Sequence, residues 1–444
     1  AIIPFRNKGK DEDAFYAHGI CSDLVSDCSS AGLIRVASLE MIDELGDISN
    51  EQKAKKLNVR YISTGTLWKM ENVFQLSIEL YDTKESKVVW SDRWQEKWDN
   101  LPTIKGNLSN GLLKALDTKP KVEQKVETTN PVAYEFYLKA KHKYNKRENT
   151  DDTEIARGLL NKAIELDNNL IVAKHLLGTT YEEMGDYDKA MEIYTPALKQ
   201  AEEFGDKRGI WGTLNNIGVV YQNKGDYEKA LDYYGRSLAI CEELGDKNGM
   251  GHPLHNLGII CSIKSDYKKA EDYLKRALLI REELGDKEGI ADTLFEFGCI
   301  HHYKGDLETA LDYYERSMKI AEEICKKRLI GYSLGNIAGL YKNKCDYGKA
   351  LDYYKRSLTI EEELGDKFGM GDSLNNIGSV HHDKGDYKKA EEYLEKSLTI
   401  QKEIGVKQIE FETTTYLYLT YKHLGKDYDV KEIHALIKEE ENIE

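Results

Sequence analysis

The chain lacks any apolar run long enough to cross a bilayer, which takes roughly 18 residues or more. It also lacks a basic n-region followed by an apolar h-region, so no secretory leader is legible. It has no basic excess: 63 Lys and Arg face 78 Asp and Glu, for a net charge of −15. Nucleic acid and anionic membranes are polyanions, so this balance opposes both as partners and suits neutral or basic ones. Cysteines number seven, an odd count with no CxxC pair. Most of Cys21, Cys28, Cys241, Cys261, Cys299, Cys325 and Cys345 stand where packing residues stand elsewhere in the chain. They read as free, buried thiols in a reducing compartment. The cytoplasm is the expected location, or the periplasm if a membrane span lies upstream. The chain enters an apolar run, "AIIPF", directly and without Met, so it is expected to be cut from a longer protein.

Chemical motifs are missing too. There is no Walker phosphate loop, no GxGxxG, no kinase HRD or DFG set and no HExxH; "GNLSNG" does not match the nucleophile elbow GxSxG. "GMGHP" and "GMGDS" contain GxG but lack the third Gly. His301-His302 and His381-His382 share one register, yet adjacent helical residues point about 100° apart, so neither pair can clamp an ion on one face. His301 and His381 are expected to pack. No catalytic residue, metal or cofactor is expected.

What the chain does have is a period of 40. Ala190, Ala230, Ala270, Ala310, Ala350 and Ala390 fall in register, as do Asp186, Asp226, Asp266, Asp306, Asp346 and Asp386, and Gly205, Gly245, Gly285, Gly365 and Gly405. Such a period marks a repeat array, within the two or three domains that 444 residues would otherwise suggest. In one unit, Leu214, Ile217, Gly218 and Tyr221 share a helical face. Gly225 then stops that helix and Asp226 caps the next, which buries Ala230, Leu231, Tyr234 and Leu238. Each unit is thus two antiparallel helices that need neighbours to bury their apolar faces. The Tyr stripe at 187, 227, 267, 347 and 387 reads as core or turn packing.

Leu214, Ile217, Gly218, Tyr221, Ala230 and Tyr234 resemble the tetratricopeptide repeat signature. The 40-residue spacing, with "EELGDK" between units, resembles the long variety found in kinesin light chain and in Leu-Gly-Asn-rich scaffolds. The resemblance implies a mostly α, right-handed α-solenoid of about eight helix hairpins, starting near 131, 168, 207, 247, 287, 327, 367 and 407. Tyr418 and Val430 replace the usual Gly and Ala in the last one, which suits a capping repeat.

Residues 1–117 leave the grid. "AIIPF" reads as a strand, 13–30 as a helix, "LIRVAS" as a strand, 51–57 as a short helix, three alternating segments from 59 to 98 as a meander, and 100–116 as a helix. This small α+β domain resembles the TolB amino-terminal-like domain of bacterial signalling proteins, carried by "IIPF", "FYAHGICSDLVSDCS", "LNVRYISTGTLWK" and "LSIELYDTKESKVVWSDRW". In that family a cyclase or kinase domain often precedes it. The expected organisation is therefore domain 1–117, a polar linker 118–130 and the array 131–444.

The first helix of each hairpin should line the groove of such an array. Opposite its packing face, one register holds Asn216, Asn256, Glu296, Asn336 and Asn376; a second holds Asn223, Tyr303, Asn343 and Asp383; a third holds His252, Asp292, Tyr332 and Asp372. Asn offers donors and acceptors, so a row of them can hold the backbone of an extended peptide. The alternative is that these Asn bond neighbouring helices. The carboxylates make the groove acidic, and inward cations are only weak candidates such as Lys342. The sequence therefore predicts a non-catalytic scaffold for a neutral or basic peptide or partner domain, standing alone or as the regulatory part of a cyclase or protein kinase encoded upstream.

Overall fold

The structure is a computed structural model that describes residues 1–10, 13–30, 48–57, 59–70, 73–97, 100–116, 130–147, 150–404 and 407–426. These hold eighteen helices and four strands, divided into two compact units, Ala1–Gly289 and Ile290–Glu444. The expected strand at 33–38, most of the linker, Gly405 and Val430 lie outside the described residues.

Unit one begins with a four-stranded sheet in the order β1 (Arg6–Asn7), β2 (Tyr61–Met70), β3 (Val73–Asp82), β4 (Lys87–Lys97). The meander forms as its alternation predicts: Phe74, Leu76, Ile78 and Leu80 all point to the core from β3. The first strand is displaced from its expected place. A lone parallel bridge joins Ile2 to Ser63, and the ladder resumes only at Arg6–Asn7. Pro4 lies between, with its φ fixed and no N–H to give, and Phe5 turns its own N–H to the Cys21 sulfur at 3.2 Å. The Phe5 ring then lies over Gly65, where a Cβ would stand 2.7 Å from it.

Three helices complete this front end: α1 (Ala14–Ser30), α2 (Asn50–Leu57) and α3 (Leu101–Ala115). Its core does not end there. α4 (Pro131–Asn145), α5 (Thr150–Leu166) and α6 (Ile171–Glu182) join the same apolar cluster, which runs from Ile2 and Tyr16 through Tyr134 and Leu138 to Leu177. A Cβ on Gly19 would stand 2.7 Å from Leu138, so α1 and α4 are in direct contact. Two Tyr-centred contacts hold the pair. The Tyr134 hydroxyl donates to buried Asp23, which also takes the Lys141 ammonium at 3.2 Å. The fully buried Tyr16 takes the Lys69 ammonium at 2.8 Å and lies beside Glu135.

The hairpins continue from α6 with α7 (Tyr187–Phe204), α8 (Lys207–Asn223), α9 (Tyr227–Leu244), α10 (Lys247–Ile263) and α11 (Tyr267–Leu284). After α12 (Lys287–Tyr303), unit two holds α13 (Leu307–Glu323), α14 (Lys327–Asn343), α15 (Tyr347–Leu364), α16 (Lys367–Asp383), α17 (Tyr387–Ile404) and α18 (Lys407–Leu424). The chain is a mostly helical solenoid of hairpins with a small sheet region at its front.

The repeated phrase works as a joint. Gly225 takes φ +78, and Asp226 accepts the Lys229 N–H. Gly218 lets the Tyr234 ring close onto its helix, where a Cβ would stand 2.6 Å away. Ser317, Ser357 and Ser397 each donate to a carbonyl of the preceding helix, at 2.8, 2.8 and 2.6 Å. Cys325 and Cys345 are exceptions to the expected buried thiols. Both are exposed at joints and take φ of 54 and 58, a left-handed conformation that Gly holds in sister repeats.

Candidate partner-binding face

First helices of neighbouring hairpins pack on one another: α6 with α8 and α8 with α10 in unit one, α16 with α18 in unit two. The first helix of each hairpin, the inner helix of the expected groove, carries the three registers.

In unit one, Asn216 lies beside the hydroxyl of Tyr194, and Asn256 donates to Asn215 at 3.3 Å. Asn223 and His252 stand exposed. Two further residues on the inner helices were missed in the sequence. His175 contacts the Thr213 hydroxyl at 2.5 Å, and burial pushes its pKa down to about 4, so the ring is neutral. Glu182 takes the Tyr194 hydroxyl at 3.4 Å, and burial raises its carboxyl to about 7.

Unit two is acidic. Asp292 and Glu296 lie one turn apart on α12. Burial, with Asp292 adding to it, raises Glu296 to about 7. Tyr332 and Asn336 follow on α14, with Tyr332 exposed. Asn336 is engaged within the protein: Oδ1 accepts from the Tyr314 hydroxyl at 3.3 Å and Nδ2 donates to the Tyr332 carbonyl at 2.9 Å. Each bond uses one of the amide's two donors or two acceptor sites, so half its capacity stays open. On α16, Asp372 takes the Asn376 amide at 3.1 Å. Burial and the nearby Glu412 raise Asp372 to about 6.

Glu412 and Tyr416 continue the Asp372 and Asn376 registers onto α18. The grid places them, but the reading of the last hairpin as a cap hid them. A further row was not read as one, although its histidines and Lys342 each drew notice. His302, Lys342 and His382 share one register, and each reaches the next inner helix. His302 meets Asn343 at 3.2 Å, Lys342 donates to Ser379 at 2.7 Å, and His382 meets Thr420 at 2.9 Å. Lys342 also lies 3.9 Å from Asp383 and 5.3 Å from the Tyr416 ring centre. Tyr303 is 70% exposed, the most open aromatic ring of this face.

His301 and His381 pack, stacking on Tyr313 and Tyr393 at 5.4 and 5.6 Å as Tyr221 does on Tyr233. Among the described residues no group of His, Cys, Asp or Glu is arranged to hold a metal ion. No described helix is long and apolar enough to cross a membrane.

Stacked helix hairpins define an α-solenoid repeat protein. Its repeats are tetratricopeptide repeats: residues 212–283, 253–323 and 329–403 match one sequence profile of that description, and 172–204 match a second. No curated protein matches the chain. Among solved structures, a signal-transduction ATPase with numerous domains and a tetratricopeptide repeat sensor, from Pyrococcus horikoshii, is similar over 95% of this chain and 64% of its own, at 16% identity and TM-score 0.55. This chain thus spans less than two thirds of that protein. The apo form of RapI is similar over 62% of this chain and 98% of its own, at 17% identity and TM-score 0.50. BtubC from P. vanneervenii is 21% identical over 52% of this chain and 89% of its own, at TM-score 0.40. At these identities the likeness is one of fold.

Proposed function

We propose that this chain is a non-catalytic interaction scaffold whose inner helix faces bind an extended, neutral to basic peptide or a partner domain, with the acidic face of unit two selecting the basic part. One observation carries the reading. Asp292 and Glu296 lie one turn apart on α12, Asp372 on α16 lies near Glu412 on α18, and burial together with the neighbouring carboxylate raises Glu296 and Asp372. A protein keeps carboxylates in such surroundings at a cost in stability, and a cationic partner would relieve it. Tyr303 and Tyr332 add exposed rings of the kind that anchor interfaces.

The resemblance of residues 1–117 to the TolB amino-terminal-like domain supports a setting in bacterial signalling. The reading assigns these residues the array and its front end, a linker at 118–130, and no chemistry of their own. The same face would serve as a sensor if a cyclase or kinase domain preceded it. Panning a random linear peptide library against the full chain tests the proposal. Enrichment of Lys- and Arg-containing sequences supports it; enrichment of acidic sequences, or of none, contradicts it.

A further inference from the structure

His382 of α16 sits in a cluster that no requirement of hairpin packing explains. Its ring lies 5.6 Å from His423, 5.8 Å from Tyr416 and 5.3 Å from Tyr387. His423 in turn stacks flat on Tyr387 at 4.3 Å with 3° between the planes. The hydrogen bonding fixes the His382 tautomer. The single Thr420 hydroxyl proton goes to the Tyr416 carbonyl at 2.7 Å, so at 2.9 Å Thr420 can only accept from His382 Nδ1–H. A second proton must then enter at Nε2. It leaves the Thr420 bond intact and adds only charge.

The charged and titratable groups around that ring are few. Lys342 faces it from α14, Asp383 adjoins it on α16 with Tyr347 beyond, Tyr387 comes from α17, and Tyr416, His423 and, a turn away, Glu412 come from α18. Asp383 is already 3.9 Å from the Lys342 ammonium. An imidazolium at 382 therefore adds to the Lys342 charge, and the carboxylates that offset it, Asp383 and Glu412, already face that ammonium.

We propose that His382, packed against His423, is a proton-operated clasp between α16 and α18, closed when the His382 ring is neutral and loosened when it charges. Burial, with His423 and Lys342 adding to it and Asp383 opposing it, already lowers His382 below the ordinary 6.5 of a free His. The sign follows from linkage. With α18 parted from α16 the ring regains its ordinary basicity, the open form binds more protons, and acid favours opening. Because α18 carries Glu412 and Tyr416, the clasp controls one end of the inner face of unit two. This consequence rests on the binding role proposed above; the clasp itself does not.

Asp372 titrates in a neighbouring window with the opposite sign. Its raised carboxyl takes a proton near pH 6 and then repels Glu412 less, which favours the closed form. The test is therefore a comparison of two proteins. Amide hydrogen exchange of α18, corrected for the intrinsic pH dependence, is measured in the full chain and in His382→Gln between pH 7.5 and 5.5. Gln keeps a donor for Thr420 and cannot charge. The ratio of wild-type to variant protection in α18 is expected to fall at least about threefold across this range, with one proton setting a ceiling near tenfold per pH unit. The ratio for α14 should stay flat. A constant α18 ratio overturns the clasp. If His382→Gln does not fold, the same ratio with His423→Gln and an imidazole NMR titration of both rings decide, and rings that titrate independently of one another overturn it. None of these readouts involves a peptide, so failure of the binding proposal leaves them unchanged.

Discussion

The Tyr314 hydroxyl donates to Asn336 Oδ1 across 3.3 Å, joining α13 to the inner helix of the next hairpin. The same spacing places Asn216 beside Tyr194. The amide row therefore has a structural side. Asn336→Ala leaves the hydroxyl of the fully buried Tyr314 with only the weaker Cys299 thiol beside it, and an unfolding titration should show a loss of about 1 kcal/mol. Asn223→Ala, at an exposed helix end, should change stability by less than about 0.5 kcal/mol. Equal costs at the two sites would contradict this division.

The repeat was legible because its chemistry recurs every 40 residues: a Gly stop, an Asp cap, and a small residue under a ring. The site was half legible for the same reason. Registers gave Asn216, Glu296 and Asp372, but not which Asn already had partners, since Tyr314 and Tyr194 lie on the preceding hairpin. Glu412 was on the grid and was passed over because neighbouring positions departed from the pattern. The join between front end and array could not be read at all. Asp23 and Tyr134 are 111 residues apart and belong to no period.

That join makes a prediction of its own. Tyr134→Phe removes a donor from Asp23, a carboxylate only 5% exposed, and leaves Lys141 as its remaining named partner. The expected loss is about 1–3 kcal/mol by chemical denaturation. Because α1, the sheet and α4–α6 share one core, a fluorescence probe on Trp90 and exchange protection in α5 should report the same transition. Separate transitions would show that the front end and the first hairpins fold apart.

Two joints carry strain. Cys325 and Cys345 hold left-handed backbone at φ 54 and 58, which costs an L-residue roughly 1–2 kcal/mol; Gly gives back part of this through its freer unfolded chain. Cys325→Gly and Cys345→Gly should each raise stability, by up to about 1 kcal/mol. A loss of stability in either would mean that the thiol makes a contact worth more than the strain.

Glu296 links the site to pH. Its folded pKa, about 7, lies above the ~4.3 of an unfolded Glu. The folded chain thus holds this proton where the unfolded chain has lost it. The stability that Glu296 costs at pH 8 is regained as pH falls through 7 and is fully restored below about 4.3. Glu296→Gln, uncharged throughout, should exceed wild type by about 1–2 kcal/mol at pH 8 and lose most of that advantage by pH 5. An advantage that is absent at pH 8, or unchanged at pH 5, would show that Glu296 is not held in this state.

The central claim is that the acidic inner face of unit two binds a basic extended segment. It is tested most directly by titrating the full chain with an unstructured peptide of alternating Lys and Asn, about twelve residues long, enough to cross several hairpins. Isothermal titration in two buffers of different ionisation enthalpy, near pH 6.5, reads affinity and proton exchange together. The account predicts binding that weakens with salt, releases protons as Glu296 and Asp372 lose theirs to the incoming cations, and falls at least about tenfold in the stably folded Glu296→Gln, Asp372→Asn double variant. Undiminished binding by that variant, or tighter binding of the matching Glu and Asn peptide, would contradict it.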